Sequence, residues 1–473
     1  MVSYIKFGSL LCFMLSTFFL VRYFKADNGQ NVNYSTSATS LKTEVAAPTS
    51  YFLDLVSTED QQKVNTAVSY IDTHWDEAYE IMLIETFYFS QNRKIAHRLL
   101  KLLERKTQKK FGYDFDQWFQ WLWNKEAAYS DAYYEFKANL HERIDSKFKT
   151  YFLNRAQQST IRLDEVRWGG VFQDGIPPLR KPQMITAEEA TYLKDNNIVF
   201  GIEVNGDARA YPKRILAWHE MFVDEVGDVP VAGVYCTLCG TVILYKTEHK
   251  GINHQLGTSG FLYRSNKLMY DKATQTLWST LEGEPVIGPL VGKGIKLDYL
   301  SVVTTTWGEW KKRHPKTSVL SLQTGHRRDY GEGVAYKAYF ATDNLMFTVP
   351  KVDTRLKNKD EILSIRIPDI ANENLAISSK FLRKNPIYSS QIGNINFVVF
   401  TDNSGAHRVF DTSGLTFEEY DGERTAKDDK GMVWTVLEEK MISTTGKELK
   451  RIPTHNAFWF GYHAAFPDAK LIK

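Results

Sequence analysis

The residues best suited to chemistry are two cysteines near the middle of the chain. Cys236 and Cys239 stand in the segment VYCTLCGT, and the third cysteine, Cys12, lies in an apolar N-terminal run. Two cysteines at this spacing can form a disulfide, exchange with a substrate disulfide or hold a soft metal ion. The spacing alone leaves open exchange chemistry, metal binding and a static disulfide.

A histidine and a glutamate precede these cysteines. His219 and Glu220 belong to the segment that leads into the cysteine strand, so His219 could meet the sulfurs in space. A histidine beside a thiol accepts its proton and stabilises the nucleophilic thiolate. For an exchange reaction we predict Cys236 as the attacking thiol, Cys239 as the resolving thiol and His219 as the base. Glu220 is the fourth catalytic candidate. Alternatively, it and His219 only satisfy buried backbone groups.

The same segment also suggests a metal site. Adding Met269 to His219 and the two cysteines would give a soft sulfur and imidazole site suited to copper or zinc. A closed zinc site needs four ligands, and the chain has no second cysteine pair, so two histidines would have to converge. The candidates are His219, His254, His314 and His326. The alternative for Met269 is a place in a hydrophobic core.

The composition indicates a body with more than one core. The chain has 473 residues, of which 43% are hydrophobic, enough to bury two or three cores. The net charge is only +3, and no basic stripe indicates nucleic acid as a partner. Residues 257–260 lack a residue needed for a nucleophile elbow, and residues 288–293 are one short of a phosphate loop. No local motif therefore supports a hydrolase.

The N-terminus predicts attachment to a membrane. Residues 7–24 form an apolar run, led by Lys6, that is about long enough to cross a bilayer. No small-x-small cleavage site follows, so residues 1–25 are predicted as a signal anchor rather than a cleaved signal peptide. Residues 26–50, rich in Asn, Ser, Thr and Ala, are predicted as a flexible linker. We expect the remaining body to be exported, to a periplasm or outside the cell.

Beyond the linker a helical pattern is followed by a strand pattern. Apolar residues recur at steps of three and four over residues 51–160, which predicts a helical domain. Within it, GYDFDQWFQWLW at 112–123 resembles a segment at the ends of HEAT-like repeats. Later, β-branched runs alternate with Gly, Pro, Asn and Asp, which predicts strands and turns. The predicted strands are 198–204, 208–211, 229–236, 241–245 and 299–303.

The elements around the cysteines bear on their chemistry. Asn205-Gly206-Asp207 is a hairpin signal, and the cysteine pair falls between two predicted strands. In thioredoxin-like proteins such a pair opens a helix, whose N-terminus lowers the thiol pKa. Here the pair would instead sit in a β-turn that resembles a zinc knuckle.

The β-rich body looks like two diverged copies of one unit. Aligning the prolines that close two similar segments places Trp307 over Trp459, and the preceding strands correspond. We predict one copy at 161–350, which carries the cysteine pair, and a second at 351–473, which has no cysteine. The predicted fold class is therefore α+β, with the HEAT-like helical domain at 51–160 followed by the duplicated β-rich body.

The β-rich body also resembles a known family, over residues 165–473. Its markers are Trp168-Gly169-Gly170, Asp174-Gly175-Ile176-Pro177, Ala210-Tyr211-Pro212, Trp218-His219-Glu220, Tyr235-Cys236-Thr237-Leu238-Cys239-Gly240, Ser259-Gly260-Phe261-Leu262-Tyr263, Met269-Tyr270-Asp271 and Thr306-Trp307-Gly308-Glu309-Trp310. Together they are similar to the exported proteins catalogued as domain of unknown function 3179. Thr237 departs from the family's usual proline, which loosens the turn but keeps both sulfurs. The resemblance implies a fold but no activity.

The markers and their surroundings also supply predicted substrate-binding residues, namely Tyr211, Ser259, Tyr263, Ser265 and Asp271. Two functions follow from the sequence as alternatives. The first is thiol–disulfide or metal-linked redox work on an extracytoplasmic protein or small molecule. The second is a non-catalytic binding or structural module whose cysteines form a static disulfide. Burial of both sulfurs with no cleft beside them would favour the second.

Overall fold

The structure is a computed structural model that describes residues 48–367 and 373–473. The predicted anchor and most of the predicted linker lie outside these residues. Within the described ranges, no helix is long and apolar enough to cross a membrane. The first helix of the described residues begins at Pro48, inside the segment predicted as linker.

The N-terminal part of the described chain is helical, as its apolar spacing predicts. Asp60, Asn92 and Asp114 cap the helices that follow them, because each side chain accepts hydrogen bonds from otherwise unpaired N–H groups. Two short 3-10 turns cover Ser146–Phe148 and Leu163–Glu165. The α-helices are, in chain order, α1 (Pro48–Ser57), α2 (Gln61–Thr73), α3 (Tyr79–Phe89), α4 (Arg93–Thr107), α5 (Phe115–Trp123), α6 (Asp131–Glu142), α7 (Lys149–Phe152), α8 (Lys213–His219), α9 (Trp307–Arg313), α10 (Lys337–Phe340), α11 (Ser379–Lys384) and α12 (Trp459–Ala465).

The remainder is rich in β-strands, which confirms the predicted helical region followed by a β-rich body. The strands are, in chain order, β1 (Val166–Trp168), β2 (Leu179–Arg180), β3 (Met184–Thr186), β4 (Ile198–Val204), β5 (Asp207–Pro212), β6 (Met221–Val226), β7 (Val229–Cys236), β8 (Thr241–Lys246), β9 (Glu248–His249), β10 (Ile252–Asn253), β11 (Leu256–Tyr263), β12 (Asn266–Asp271), β13 (Leu277–Ser279), β14 (Pro285–Ile287), β15 (Tyr299–Leu300), β16 (Val303–Thr306), β17 (Ser318–Leu320), β18 (Glu361–Arg366), β19 (Asn374–Ser378), β20 (Ile387–Ile392), β21 (Ile395–Thr401), β22 (His407–Asp411), β23 (Phe417–Tyr420), β24 (Thr425–Asp428), β25 (Val433–Val436), β26 (Lys440–Ser443), β27 (Glu448–Ile452), β28 (Thr454–Phe458) and β29 (Lys470–Ile472).

These strands form six sheets in the described residues. Three have five strands, in the orders β1-β11-β12-β13-β14, β15-β8-β7-β6-β2 and β16-β4-β5-β17-β3. The others are the pair β10-β9, the four-stranded β28-β18-β19-β29 and the eight-stranded β20-β21-β22-β27-β26-β25-β24-β23. The first sheet shares one hydrophobic core with the N-terminal helices, since Phe261 and Tyr270 pack in the same cluster as Leu83, Trp118 and Phe136.

Two of the sheets have the same local topology. In β16-β4-β5-β17 the first two contacts are antiparallel and the third is parallel. The sheet β28-β18-β19-β29 repeats this pattern. A helix starting at Trp307 follows β16, and a helix starting at Trp459 follows β28. The two tryptophans aligned in the sequence therefore occupy equivalent positions.

The predicted strands around the cysteines agree closely with the structure. The strands β4 and β7 have the predicted bounds, and Asn205 and Gly206 form the hairpin turn between β4 and β5 with positive φ angles of 50° and 80°. The prediction of one strand over 299–303 is wrong. This stretch holds parts of two strands, because β15 pairs with β8 whereas β16 pairs with β4.

Candidate functional site

The two cysteines form a disulfide at the tip of a β-hairpin. Cys236 is the last residue of β7, Cys239 precedes β8, and their Cα atoms are 5.5 Å apart. Gly240 completes the turn with a φ of +61°, a conformation that favours glycine, and a Cβ there would meet the ring of Phe458 at 2.8 Å. The cysteines therefore lie between strands, as the sequence predicts, and not at the start of a helix.

Both sulfur-bearing residues are buried. Cys236 is 3% exposed and Cys239 is 1% exposed. The N–H of Phe458 donates a 2.7 Å hydrogen bond to the carbonyl of Cys239, and a Cβ on Gly461 would meet Cys239 Cβ at 2.8 Å. The C-terminal strand β28 and helix α12 thus pack directly on the disulfide. Apolar neighbours complete the enclosure: Leu238, Leu262, Tyr339, Val349, Phe460 and Ala464.

Glu220 is bonded to the turn that holds the cysteines. Its carboxylate accepts hydrogen bonds from the Thr237 hydroxyl at 2.6 Å, from Lys267 Nζ at 2.9 Å and from the Tyr336 hydroxyl at 3.2 Å. Glu220 directly follows the last residue of helix α8 and adopts the left-handed conformation, with a φ of +55°, which turns the chain into β6. Burial, together with the Glu220 charge, raises the pKa of Tyr336 well above its usual value. The site therefore contains a buried ion pair that contacts Thr237, one of the two residues between the cysteines.

His219 points its ring nitrogens at other partners. Nδ1 lies 2.9 Å from the carbonyl oxygen of Pro177, and Nε2 lies 2.6 Å from the Tyr330 hydroxyl. Because a carbonyl only accepts, Nδ1 carries the proton and Nε2 accepts from Tyr330. Burial lowers the pKa of His219 to about 4, so the ring is neutral near pH 7. Neither nitrogen is left to serve as the predicted base in this conformation.

An irregular stretch of chain also packs against the disulfide, on top of the contacts from β28 and α12. We call residues 330–349 the covering segment, of which the short helix α10 is the main regular element. Three tyrosines of the covering segment form hydrogen bonds to the sequence markers that contain His219 and the cysteines. Tyr330 bonds to His219, Tyr336 to Glu220 and Tyr339 to the carbonyl of Leu238 at 2.6 Å. The His-Glu pair therefore holds this segment against the cysteine turn.

Each of the predicted substrate-binding residues contacts a different internal partner. The Ser265 hydroxyl donates to the carbonyl of Phe347 at 3.0 Å, which is a contact with the covering segment. The Tyr211 hydroxyl donates to Asp224 at 2.7 Å and the Ser259 hydroxyl to the carbonyl of Leu268 at 2.6 Å. The remaining two also have internal partners. Asp271 lies 2.9 Å from His254 Nδ1, and the ring of Tyr263 packs under Arg264.

The residues predicted for a metal site are also separated. Met269 lies in another core cluster, together with Trp278 and Tyr245, and the two sulfurs are bonded to each other. In the described part of the chain, no group of three or more His, Cys, Asp or Glu side chains is arranged to hold a metal ion. The copper or zinc site predicted from the sequence therefore has no support in this geometry.

Sequence reasoning missed several residues of the site. Lys267 was identifiable as the lone cation of strand β12, directly before the run Leu268-Met269-Tyr270, a position that requires a buried partner. Thr237 stands out in the sequence only as a departure from the family's proline, whereas in the structure its hydroxyl donates to Glu220. Tyr336 and Tyr339 carried no local signal, because their role depends on how a distant irregular segment folds back over the turn.

Comparison with known proteins supports the family resemblance. A family model described as "Protein of unknown function (DUF3179)" matches residues 173–469, a range that contains every candidate site residue discussed above. No curated protein and no solved structure matches the chain. Because the match spans well over half of the sequence, this chain belongs to the DUF3179 family of proteins of unknown function.

Proposed function

We propose that this chain exchanges electrons with an extracytoplasmic thiol or disulfide partner through Cys236 and Cys239. The observation that carries the proposal is the buried pair formed by Glu220 and Lys267, hydrogen-bonded to Thr237 inside the cysteine turn. The side chains of the pair are only 9% and 6% exposed. Removing two charges from water costs several kcal/mol per ion, and the attraction between them only partly offsets this cost. A disulfide that only fixes the hairpin does not require a buried ion pair beside it. Thiol–disulfide exchange at the cysteine turn would give the Glu220–Lys267 ion pair a function.

The disulfide is also a weak brace. It closes a ring over a sequence separation of three residues, at the tip of a hairpin that is already paired. By chain-entropy arithmetic, closing so short a ring stabilises the fold by only about 2 kcal/mol, against more than twice that for a ring of a hundred residues. The stabilisation that this disulfide supplies is therefore too small to be a strong reason for the presence of the two cysteines.

The proposed exchange is balanced in atoms and electrons. A partner thiolate attacks Sγ of Cys236, forms a mixed disulfide and releases Cys239 as a thiolate. The partner's second thiolate then attacks the mixed disulfide and frees Cys236. The partner dithiol becomes a disulfide, and this chain takes up two electrons and, after protonation, holds two thiols. The reverse sequence uses Cys236 as the attacking thiol and Cys239 as the resolving thiol.

We propose that movement of the covering segment exposes the sulfurs to a partner. Most of this segment is irregular, and three tyrosine hydroxyls hold it to the motif residues. Segments with little regular structure open at lower free energy than core strands. We propose that Tyr330, Tyr336 and Tyr339 hold the covering segment against the disulfide until a docking partner breaks their hydrogen bonds.

A second candidate function is favoured by the burial of Cys236 and Cys239. In it, the chain is a non-catalytic binding or structural module, and the disulfide only fixes the hairpin against Phe458 and Gly461. This function needs no opening of the covering segment.

One experiment separates the two candidates. The full-length chain carrying Cys12→Ser, so that only the pair is counted, is equilibrated with dithiothreitol in defined ratios of its reduced and oxidised forms. Free thiols are counted by mass tagging while circular dichroism records the fold. Exchange chemistry requires a pair that reduces and reoxidises reversibly in the folded protein. A pair that is reduced only when the protein unfolds would rule out exchange and leave the structural module.

We further propose that the body is exported behind an N-terminal membrane anchor, as the apolar run at residues 7–24 indicates.

We also propose that the β-rich body arose by duplication of one unit. Support comes from the shared strand order of two sheets and from the equivalent positions of Trp307 and Trp459. The likeness of the helical domain to HEAT repeats stays a prediction.

A further inference from the structure

A cavity of about 390 Å³ lies away from the disulfide, between the first and second parts of the β-rich body. One side is formed by the β4–β5 hairpin, the end of α9 and the chain after it, and the other by connections between strands of the eight-stranded sheet. The charged residues of its lining are Glu203, Arg313, Lys316, Arg424 and Glu438, and His314 lies among them. Cavities of this size accommodate small organic molecules.

Glu438, the more deeply buried of the two acidic lining residues, is already neutralised. Arg408 Nη2 lies 2.8 Å from Glu438 Oε1, and Arg313 Nε lies 3.2 Å from the same oxygen. These charges hold the pKa of Glu438 well below its usual value despite the opposing effect of burial. Glu438 therefore offers no free negative charge to a ligand.

Glu203, the other acidic lining residue, faces a basic one. Its Oε2 lies 3.8 Å from His314 Nδ1, and burial raises the pKa of Glu203. Two nearby carboxylates outside the lining also have partners. Glu439 accepts a 3.1 Å hydrogen bond from the N–H of Asn205, and Glu423 is paired with Lys312.

Two cations that line the cavity, Arg424 and Lys316, have no carboxylate of the described chain within ion-pair distance. Arg424 donates to the carbonyl oxygen of Arg313, and Lys316 is exposed at the rim. In the described residues, neither Arg424 nor Lys316 forms an ion pair within 4.0 Å. The cavity therefore presents two cations that lack a described ion-pair partner within 4.0 Å, although Arg424 still acts on the charge of Glu203 from farther away.

We propose that this cavity binds a small organic anion, carrying a carboxylate or phosphoryl group, through Arg424 and Lys316. A guanidinium and an ammonium are the donors suited to such oxyanions. Lys316 comes from the first part of the body and Arg424 from the second, so a bound anion bridges the two. The inference is independent of thiol chemistry, because the cavity shares no residue with the cysteine turn.

The test is isothermal titration calorimetry of the full-length chain with citrate and, separately, with inorganic phosphate. We expect at least one anion to bind, and Lys316→Glu to weaken that binding by about fivefold or more, since it reverses one charge of the contact. Lys272→Glu is the matched control, because Lys272 is an exposed lysine outside the cavity.

Binding of citrate alone assigns a carboxylate ligand, and binding of phosphate alone assigns a phosphoryl ligand. The proposal is overturned if neither anion binds, or if the two lysine variants weaken binding equally. The double variant Cys236→Ser, Cys239→Ser should bind the anion as the native chain does, whatever becomes of the proposed exchange function.

Discussion

The Tyr339 hydroxyl donates a 2.6 Å hydrogen bond to the carbonyl oxygen of Leu238, the residue directly before Cys239. This bond ties the covering segment to the backbone of the cysteine turn. Lys359 strengthens the arrangement, because its Nζ lies 3.4 Å from the centroid of the Tyr339 ring and donates to the carbonyl of Thr342 at 2.6 Å. The turn that holds the disulfide is thus bonded to a side chain 101 residues beyond Leu238 in the sequence.

Replacing Tyr339 by Phe should make the disulfide easier to reach. Loss of one neutral hydrogen bond is worth about 1 kcal/mol, which raises the open population about fivefold. The measurement is the rate of disulfide reduction by dithiothreitol in the Cys12→Ser chain. Tyr420→Phe is the control, since its hydroxyl bonds to the carbonyl of Glu423, outside the covering segment. Equal rates in both variants would show that Tyr339 does not hold the segment closed.

Replacing Glu220 by Gln should destabilise the protein strongly. The change leaves the Lys267 ammonium buried without its carboxylate, and breaking a buried pair in this way costs about 3–5 kcal/mol. The double variant Glu220→Gln, Lys267→Met should recover much of the loss, because no unpaired charge remains. Urea unfolding of the three proteins provides the comparison. A single variant as stable as the native chain would mean that the pair is effectively solvated.

Acid should weaken the fold through His219. Its pKa in the folded chain is about 4, below the usual 6.5, so the unfolded chain binds the extra proton first. The free energy of unfolding therefore falls as pH drops from about 6.5 towards about 4. In His219→Gln this part of the pH dependence should disappear. The control variant is His97→Gln, because His97 is exposed. In this variant the free energy of unfolding should depend on pH as it does in the native chain. Denaturant unfolding across this pH range provides the measurement, and parallel slopes for all three proteins would contradict the assignment.

Removing the disulfide should have a limited effect on stability. For the double variant Cys236→Ser, Cys239→Ser we expect a loss of about 2 kcal/mol in the free energy of unfolding, because the closed ring is so short. Chemical denaturation of the oxidised native chain and the variant measures it directly. A loss near 5 kcal/mol would instead favour the structural module, in which bracing is the purpose of the pair.

Local patterns in the sequence predicted the elements that carry the site. β-branched runs and the Asn-Gly signal predicted β4, β7 and the hairpin turn, because strand alternation and positive φ are properties of adjacent residues. The markers also predicted the family, and the family match confirms it. The site was less predictable. His219 was expected near the sulfurs as a base, but its ring nitrogens bind Pro177 and Tyr330.

The sequence by itself determined that two cysteines lie in a turn between strands, in a β-rich body that follows a helical region. Those features depend on spacing and on intrinsic conformational preference, which act within a few residues. Only the tertiary structure decided that the cysteines are bonded and buried, that Lys267 pairs with Glu220, and that a segment over ninety residues beyond the turn covers it. Such contacts arise when distant segments bury apolar surface together, so no local pattern records them.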